Sequence, residues 1–365
     1  MDILKQAEYR DLLAKMRDPQ HRSWILLNPS SMGETAMVCA FAHAFVQQHG
    51  HPITMVVQPN HVPITQMYPN RFLRVLTADQ GPQLKIASDF LDPNRFELDT
   101  TICMHHHFHG SCRIDELQYL FKYPGRGGIS HTDTFRHLLR LPWDAPLERP
   151  TIPQAWENEA RAFAEQVGVI PGKSVLLLPK NTTDIGQLSD VMWTALVERL
   201  NERGYKVFCN MKGGIYQPTT MPIKGSIPVE LPVHLVIPFV EQAGRLISSP
   251  NGMQLLLTLC GRFDKVTIVF PVFGNFDDYE MYGRKYAPQS PMHQYTGPEI
   301  CTGVNFSEFG VPRAASDAEF IRIGRAVADD DRTDFNCAQR AGHNGGLFTE
   351  ENADWLAGLV KPFSA

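Results

Sequence analysis

The sequence predicts an α/β protein made of two Rossmann-like domains. The alternation of strand, polar turn, helix and strand opens the chain and starts afresh from Pro171. Between the two runs, Pro142, Pro146, Pro150 and Pro153 cluster as a linker would. The length, 365 residues, is more than one hydrophobic core usually serves. These observations place an N-terminal domain over 1–150 and a C-terminal domain over 151–365.

Residues 2–17 read as a surface helix with Ile3, Ala7, Leu12, Leu13 and Met16 on one side. The apolar run 23–27 is of strand length and ends at Asn28-Pro29. A turn over 30–35 (Ser30-Ser31-Met32-Gly33-Glu34-Thr35) leads to a helix over 36–48, and a strand follows at 53–57. This βαβ unit implies a parallel sheet with a ligand crevice at the strand C-termini. Further strands are expected at 72–76 and 100–104. The latter runs into His105-His106-His107-Phe108-His109. Alternation sends His105, His107 and His109 to one side, where they either line a substrate site, hold a metal, or stand solvated in a loop.

In the second half, a helix over 155–167 precedes a strand at 174–178 and the polar turn Lys180-Asn181-Thr182-Thr183. A helix over 189–203, capped by Gly204, leads to a strand at 206–210 and then to Lys212. A short helix at 236–243 precedes Gly244-Arg245-Leu246-Ile247, which feeds the turn Ser248-Ser249-Pro250-Asn251-Gly252-Met253-Gln254 and a helix ending at Gly261. Such a turn offers unpaired N–H groups at the positive end of a helix, suited to a phosphate or carboxylate. A strand at 266–270 completes the pattern, 274–309 reads as long loops, and helices are expected at 317–327 and 352–360, the last packing back on the first domain. The acidic triplet Asp329-Asp330-Asp331 reads as solvated.

Composition narrows the function. With 43% hydrophobic and 20% charged residues, the chain can fill ordinary cores. A net charge of -5 with no basic run argues against nucleic acid as a partner. Seven cysteines without a C-x-x-C pair suit buried free thiols in a reducing compartment. The first residues lack the apolar segment of a signal peptide, and no apolar run is long enough to span a bilayer, so a cytoplasmic protein is expected.

The turn Ser30-Ser31-Met32-Gly33-Glu34-Thr35 resembles the opening of the bacterial lipopolysaccharide heptosyltransferases, glycosyltransferase family 9, where a glycine followed by Asp opens the first helix. The order of the strands at 100–104 and 174–178 and of the 248–261 segment is also similar, and that last segment resembles the family's Asp-Ser/Thr-Gly-x-x-His-Leu-Ala turn. The pattern is departed from in four places. Glu34, one methylene longer, stands for the acidic residue of the first turn, Pro250 for the Asp of the later turn, Leu255 for the His, and Asn181-Thr182-Thr183 for the Lys-x-Trp motif.

The resemblance implies the GT-B architecture, two Rossmann-like domains facing across a cleft. It implies an inverting transfer, without cofactor or metal, from a nucleotide sugar to a hydroxyl acceptor in polysaccharide biosynthesis. Glu34 is then the catalytic base, with His107 in reserve. The donor diphosphate is expected on Ser249, Asn251, Gly252, Met253 and Gln254, with Lys180, Asn181, Thr182, Thr183 and Lys212 beside it. Ser31, Met32, Gly33, His105 and His109 face an acceptor that is a glycan, a lipid-linked glycan or a protein. A lipid-linked acceptor would bring the protein to a membrane surface. A sugar-nucleotide epimerase and a non-catalytic nucleotide- or glycan-binding scaffold are the alternatives, the scaffold favoured by Pro250 and Leu255.

Overall fold

The structure, a computed structural model, describes residues 3–17, 20, 22–29, 31–90, 97–98, 100–104, 131–179, 188–211, 222–249, 251–261, 265–272, 280–281, 284–285, 300, 306–312 and 315–330. The chain divides into two compact units, with a break inside the proline cluster, between Thr151 and Ile152.

The first unit begins with α1 (Ile3–Met16), β1 (Trp24–Asn28) and α2 (Met32–His49). Next come β2 (Ile53–Val57), a 3-10 turn at Pro59–His61, α3 (Val62–Gln66), β3 (Phe72–Thr77) and α4 (Gln80–Phe90). The short strands β4 (Glu97–Leu98) and β5 (Thr101–Cys103) and helix α5 (His131–Leu138) follow. The sheet order is β3-β2-β1-β5-β4, parallel except for β4 against β5. β1 and β2 are buried along their whole length, as apolar strands covered on both faces must be. Leu12 and Met16 of α1 pack with Ile86 and Ala87 of α4 against Ile25, Leu27 and Val56 of the sheet.

The structure corrects the reading of the first turn. α2 begins at Met32, so Met32, Gly33, Glu34 and Thr35 form its first turn rather than a loop before it. Ser31 is the N-cap, and Thr35 N–H donates to Ser31 O at 3.0 Å. Gly33 suggested a turn in the sequence; in the structure it is buried in a helix whose residues 35–42 are all buried. The helix stops at Gly50, whose φ of +72° lets its N–H reach Val46 O at 2.9 Å.

The proline cluster is not a free linker in its first part. Arg71 holds Glu148 with two hydrogen bonds of 2.6 and 2.7 Å. Glu148 N–H donates to Ala40 O and Thr151 N–H to Met67 O, each at 2.8 Å, and buried Arg136 donates to Ala145 O at 3.0 Å. Residues 145–151 are therefore a strap bound to the first unit.

The second unit begins with α6 (Gln154–Val167), β6 (Ser174–Leu178), α7 (Asp190–Glu202) and β7 (Lys206–Asn210). It continues with β8 (Ile227–Val229), α8 (Val233–Ala243), β9 (Gly244–Ser248), α9 (Gly252–Cys260) and β10 (Lys265–Val272). A small antiparallel pair, β11 (Glu280–Met281) with β12 (Arg284–Lys285), precedes β13 (Phe306–Pro312) and α10 (Asp317–Ala328). The six-stranded sheet runs β13-β10-β9-β6-β7-β8 and is wholly parallel. Counted from β6 and read from the β8 side, that is the doubly wound order 3-2-1-4-5-6.

Two of these strands escape the sequence reading. β8 contains Pro228, and β13, which overlaps the end of the stretch read as loop, contains Gly310 and Pro312. Both lie at sheet edges, where a missing N–H is tolerated. The cap of α7 also differs by one residue: Arg203 caps it, and Gly204 follows with φ of +77°.

α10 packs along α7, with Phe320, Ile323 and Val327 set among Met192, Trp193 and Leu196. A Cβ at Gly324 would run into Met192 O and lie 3.0 Å from Leu196 N, so glycine permits this close crossing. We expect Gly324→Ala to cost about 1–3 kcal/mol as the helices part. Urea titration measures it, and an unchanged midpoint would show that the crossing has room to spare.

The acidic triplet after α10 is exposed at Asp329, as its sequence reading expects, and buried at Asp330, contrary to that reading. Asp329 accepts from Arg199 at 2.8 Å. Asp330 is buried, its carboxylate 3.2 Å from the buried Lys265 ammonium, which also donates to the Asp330 carbonyl. Asp331 lies outside the described residues. The far helix expected at 352–360 lies outside them too. Cys39, Cys103, Cys209 and Cys260 are buried and outside any disulfide, as the unpatterned cysteines predict. Among the described residues, no helix is long and apolar enough to cross a membrane.

Candidate active site

In an open α/β sheet, ligands bind beyond the strand C-termini where the strand order reverses. The first sheet reverses at β1, which has β2 on one side and β5 on the other. The second reverses at β6, flanked by β7 and β9. Each unit carries a polar cluster at that place.

In the first unit the cluster starts from Asn28, the last residue of β1. Its amide donates to Thr35 Oγ1 at 2.7 Å, and Thr35 Oγ1 lies 2.9 Å from His61 Nδ1 and 3.1 Å from Ser31 O. Asn28, Thr35 and His61 are all buried. Burial holds the His61 imidazole down at about 4, against a lesser upward pull from the Glu34 carboxylate, so it is neutral at pH 7. Asn28 Oδ1 is buried with no hydrogen-bond partner among the described residues, a cost of about 1–3 kcal/mol by general experience. Gln58 closes the group by donating to Pro29 O at 3.3 Å.

Glu34 is half-buried at the third helical position, and the Ser31 hydroxyl donates to its carboxylate. Ser31 and Glu34 thus stand where a capping box would, although the Ser31 side chain spends itself on the carboxylate and not on a backbone N–H. A carboxylate here is favoured by the positive helix end. It is also chemically competent to receive a proton from a hydroxyl brought to the β1 edge.

In the second unit the cluster is the passage from β9 to α9. Asn251 caps the helix: its Oδ1 accepts from Gln254 N–H at 2.8 Å, and its amide donates to Ser248 Oγ and Ser249 O, both at 2.9 Å. That leaves the N–H groups of Gly252 and Met253, the first two helical residues, without an acceptor among the described residues. Both residues are half-buried. Two aligned donors at a helix N-terminus form an anion site.

Other positions from the sequence reading serve the scaffold. Ser249 N–H donates to Leu178 O at 3.0 Å, extending the β6–β9 ladder, and its side chain is buried. The Gln254 side chain is buried and donates to Thr258 Oγ1 at 2.9 Å, turned away from a ligand. Leu255 is buried in the core. Ser31 is exposed, Met32 half-buried and Gly33 buried. Lys180, Asn181, Thr182, Thr183, Lys212, Pro250, Ser30, His105, His107 and His109 lie outside the described residues. Among those described, no group of three His, Cys, Asp or Glu side chains could hold a metal ion.

The sequence reading passed over Asn28 and His61. The signal was present: His61 follows the strand beside β1, so its turn necessarily adjoins the Ser31 turn.

No protein-family model matches the sequence, and no curated protein matches it. Solved structures do. A glycosyltransferase of family 9 from Veillonella parvula superposes with a TM-score of 0.50 at 12% identity, over 92% of this chain and 95% of that one. The ADP-heptose lipopolysaccharide heptosyltransferase II of E. coli gives 0.51 at 10% identity, over 84% and 98%. The fold is that of these two transferases. It is the two-sheet parallel α/β fold that the resemblance of the 30–35 and 248–261 segments implied.

Proposed function

We propose that the protein is a glycosyltransferase that moves a sugar from a nucleotide-sugar donor to a hydroxyl acceptor, inverting the anomeric centre without a metal. The observation that carries this reading is the α9 N-terminus, with two N–H groups open, at the strand-order reversal of the 3-2-1-4-5-6 sheet. The second of these structures is an ADP-heptose heptosyltransferase, so its fold is compatible with a nucleoside diphosphate ligand.

In this reading the Gly252 and Met253 N–H groups receive the donor diphosphate and stabilise it as it leaves with the bonding electron pair. The acceptor oxygen attacks the anomeric carbon from the opposite face, and Glu34 takes its proton. The scheme requires Glu34 and the donor to meet on one substrate complex. Lys180 and Lys212 remain the candidates for neutralising the diphosphate, and Asn181, Thr182 and Thr183 for holding the nucleotide. His105 and His109 remain acceptor contacts and His107 the reserve base. A glycan, a lipid-linked glycan or a protein would serve as acceptor, and the cytoplasm would supply the donor.

A panel of ADP-, UDP- and GDP-sugars, each with and without oligosaccharide acceptors, tests the reading. Release of nucleoside diphosphate that depends on acceptor is the expected result. Epimerised donor without acceptor would make the protein an epimerase. Binding without any turnover would make it a scaffold, in keeping with Pro250 and Leu255. Asn251→Ala, which frees the first turn of α9, should weaken ADP binding about tenfold by calorimetry. Unchanged affinity would move the diphosphate elsewhere.

A further inference from the structure

We propose that His61 is a positioning residue for Glu34, bound to Thr35 through an Nδ1–H so that a neutral ring fixes the first turn of α2. The inference rests on the reading of Glu34 as base. It goes beyond that reading in assigning a role to a residue on a different element.

Proton counting at Thr35 leads to it. Thr35 Oγ1 has one proton and two lone pairs. Asn28 Nδ2, at 2.7 Å, can only donate, and it takes one lone pair. Ser31 O, at 3.1 Å, can only accept, and it takes the proton. The second lone pair is left for His61 Nδ1, at 2.9 Å, and we assign the hydrogen of that contact to the ring. The reverse assignment, with Thr35 donating to the ring, forfeits the bond to Ser31 O. A neutral ring bearing Nδ1–H has its free lone pair on Nε2.

This clamp acts on the neighbouring residue. Glu34 and Thr35 share one helical turn, and Ser31 is tied to both through its hydroxyl and its carbonyl. Locking Thr35 to β1 through Asn28 and to the β2–α3 turn through His61 holds that turn from two sides. Neutrality matters as much as position. A cation at residue 61 would stabilise the ionised carboxylate and blunt its capacity to take a proton. An uncharged donor supplies the contact without that penalty.

The test uses the full chain, with the nucleotide sugar and acceptor that turn over fastest in the panel. His61→Phe should lower kcat about 10- to 100-fold while KM for the donor changes less than about twofold. His61→Asn, which keeps an N–H near the Nδ1 position, should restore most of the rate. Thr35→Val should repeat the loss. Full kcat in His61→Phe overturns the proposal. ¹⁵N NMR of the parent imidazole gives a readout without turnover: a protonated Nδ1 and bare Nε2 at pH 7 are expected, and a bare Nδ1 refutes the clamp even if His61→Phe fails to fold. Glu34→Gln separates the two ideas. If it retains the parental rate, the base reading falls and the proposal with it. If it is inactive while His61→Phe is fully active, only the proposal falls.

Discussion

Glu34→Gln is expected to cut acceptor-dependent turnover by about 100- to 10,000-fold, the usual range for loss of a general base. The amide is nearly isosteric with the carboxylate and can still accept from the Ser31 hydroxyl, so that contact survives. What is lost is the ability to take a proton. Binding of ADP, which the reading assigns to the α9 turn, should be unchanged by calorimetry. Glu34→Asp should fall between, since the carboxylate is kept but withdrawn by one methylene. A Glu34→Gln protein that works at the parental rate would remove the carboxylate from the chemistry, and base duty would pass to His107. Equal losses of kcat and of ADP affinity would instead mean that the substitution disturbs the fold.

The second large effect concerns stability. Lys265→Met should destabilise the second unit by about 3–5 kcal/mol, because it removes the ammonium that faces the buried Asp330 carboxylate at 3.2 Å. Lys265 opens β10, and Arg245, near the start of β9, donates to Val327 O at 3.0 Å. Both basic side chains therefore fasten the end of α10 to the N-terminal margin of the sheet, the margin opposite the α9 turn. Turnover per folded molecule should survive while the urea midpoint drops. The double substitution Lys265→Met with Asp330→Leu should recover much of the loss, since no charge is then left behind. A single-variant cost below about 1 kcal/mol would show the pair to be well hydrated, as surface pairs are.

The elements legible in the sequence were those whose signal is local. The apolar runs at β1, β2, β6 and β9 announce buried strands by composition alone, and Gly50 and Gly261 mark the ends of their helices. Features set by distant partners were not legible. Asp330 looks solvated until Lys265, 65 positions away, is found against it. β8 and β13 carry proline or glycine that would forbid a central strand, and only their edge positions make them strands. Gly33 suggested a turn, and in the structure it is a buried residue in the first turn of α2. At the candidate site, Glu34 and Asn251 were visible because helix starts have a residue grammar. The ring of His61 was not, because its partner Thr35 lies 26 positions back along the chain.

The prolines at the two margins of the second sheet also govern how copies of the protein meet. Pro228 and Pro312 each delete a donor that an incoming strand would need, and so discourage fibre-like growth from either side. The first sheet has no such guard at β3, which forms one of its margins and shows Leu73 and Val75 at 47% and 37% exposure. In concentrated or heated samples, clumping would begin there, and a lysine at Leu73 is the substitution that colloidal stability calls for.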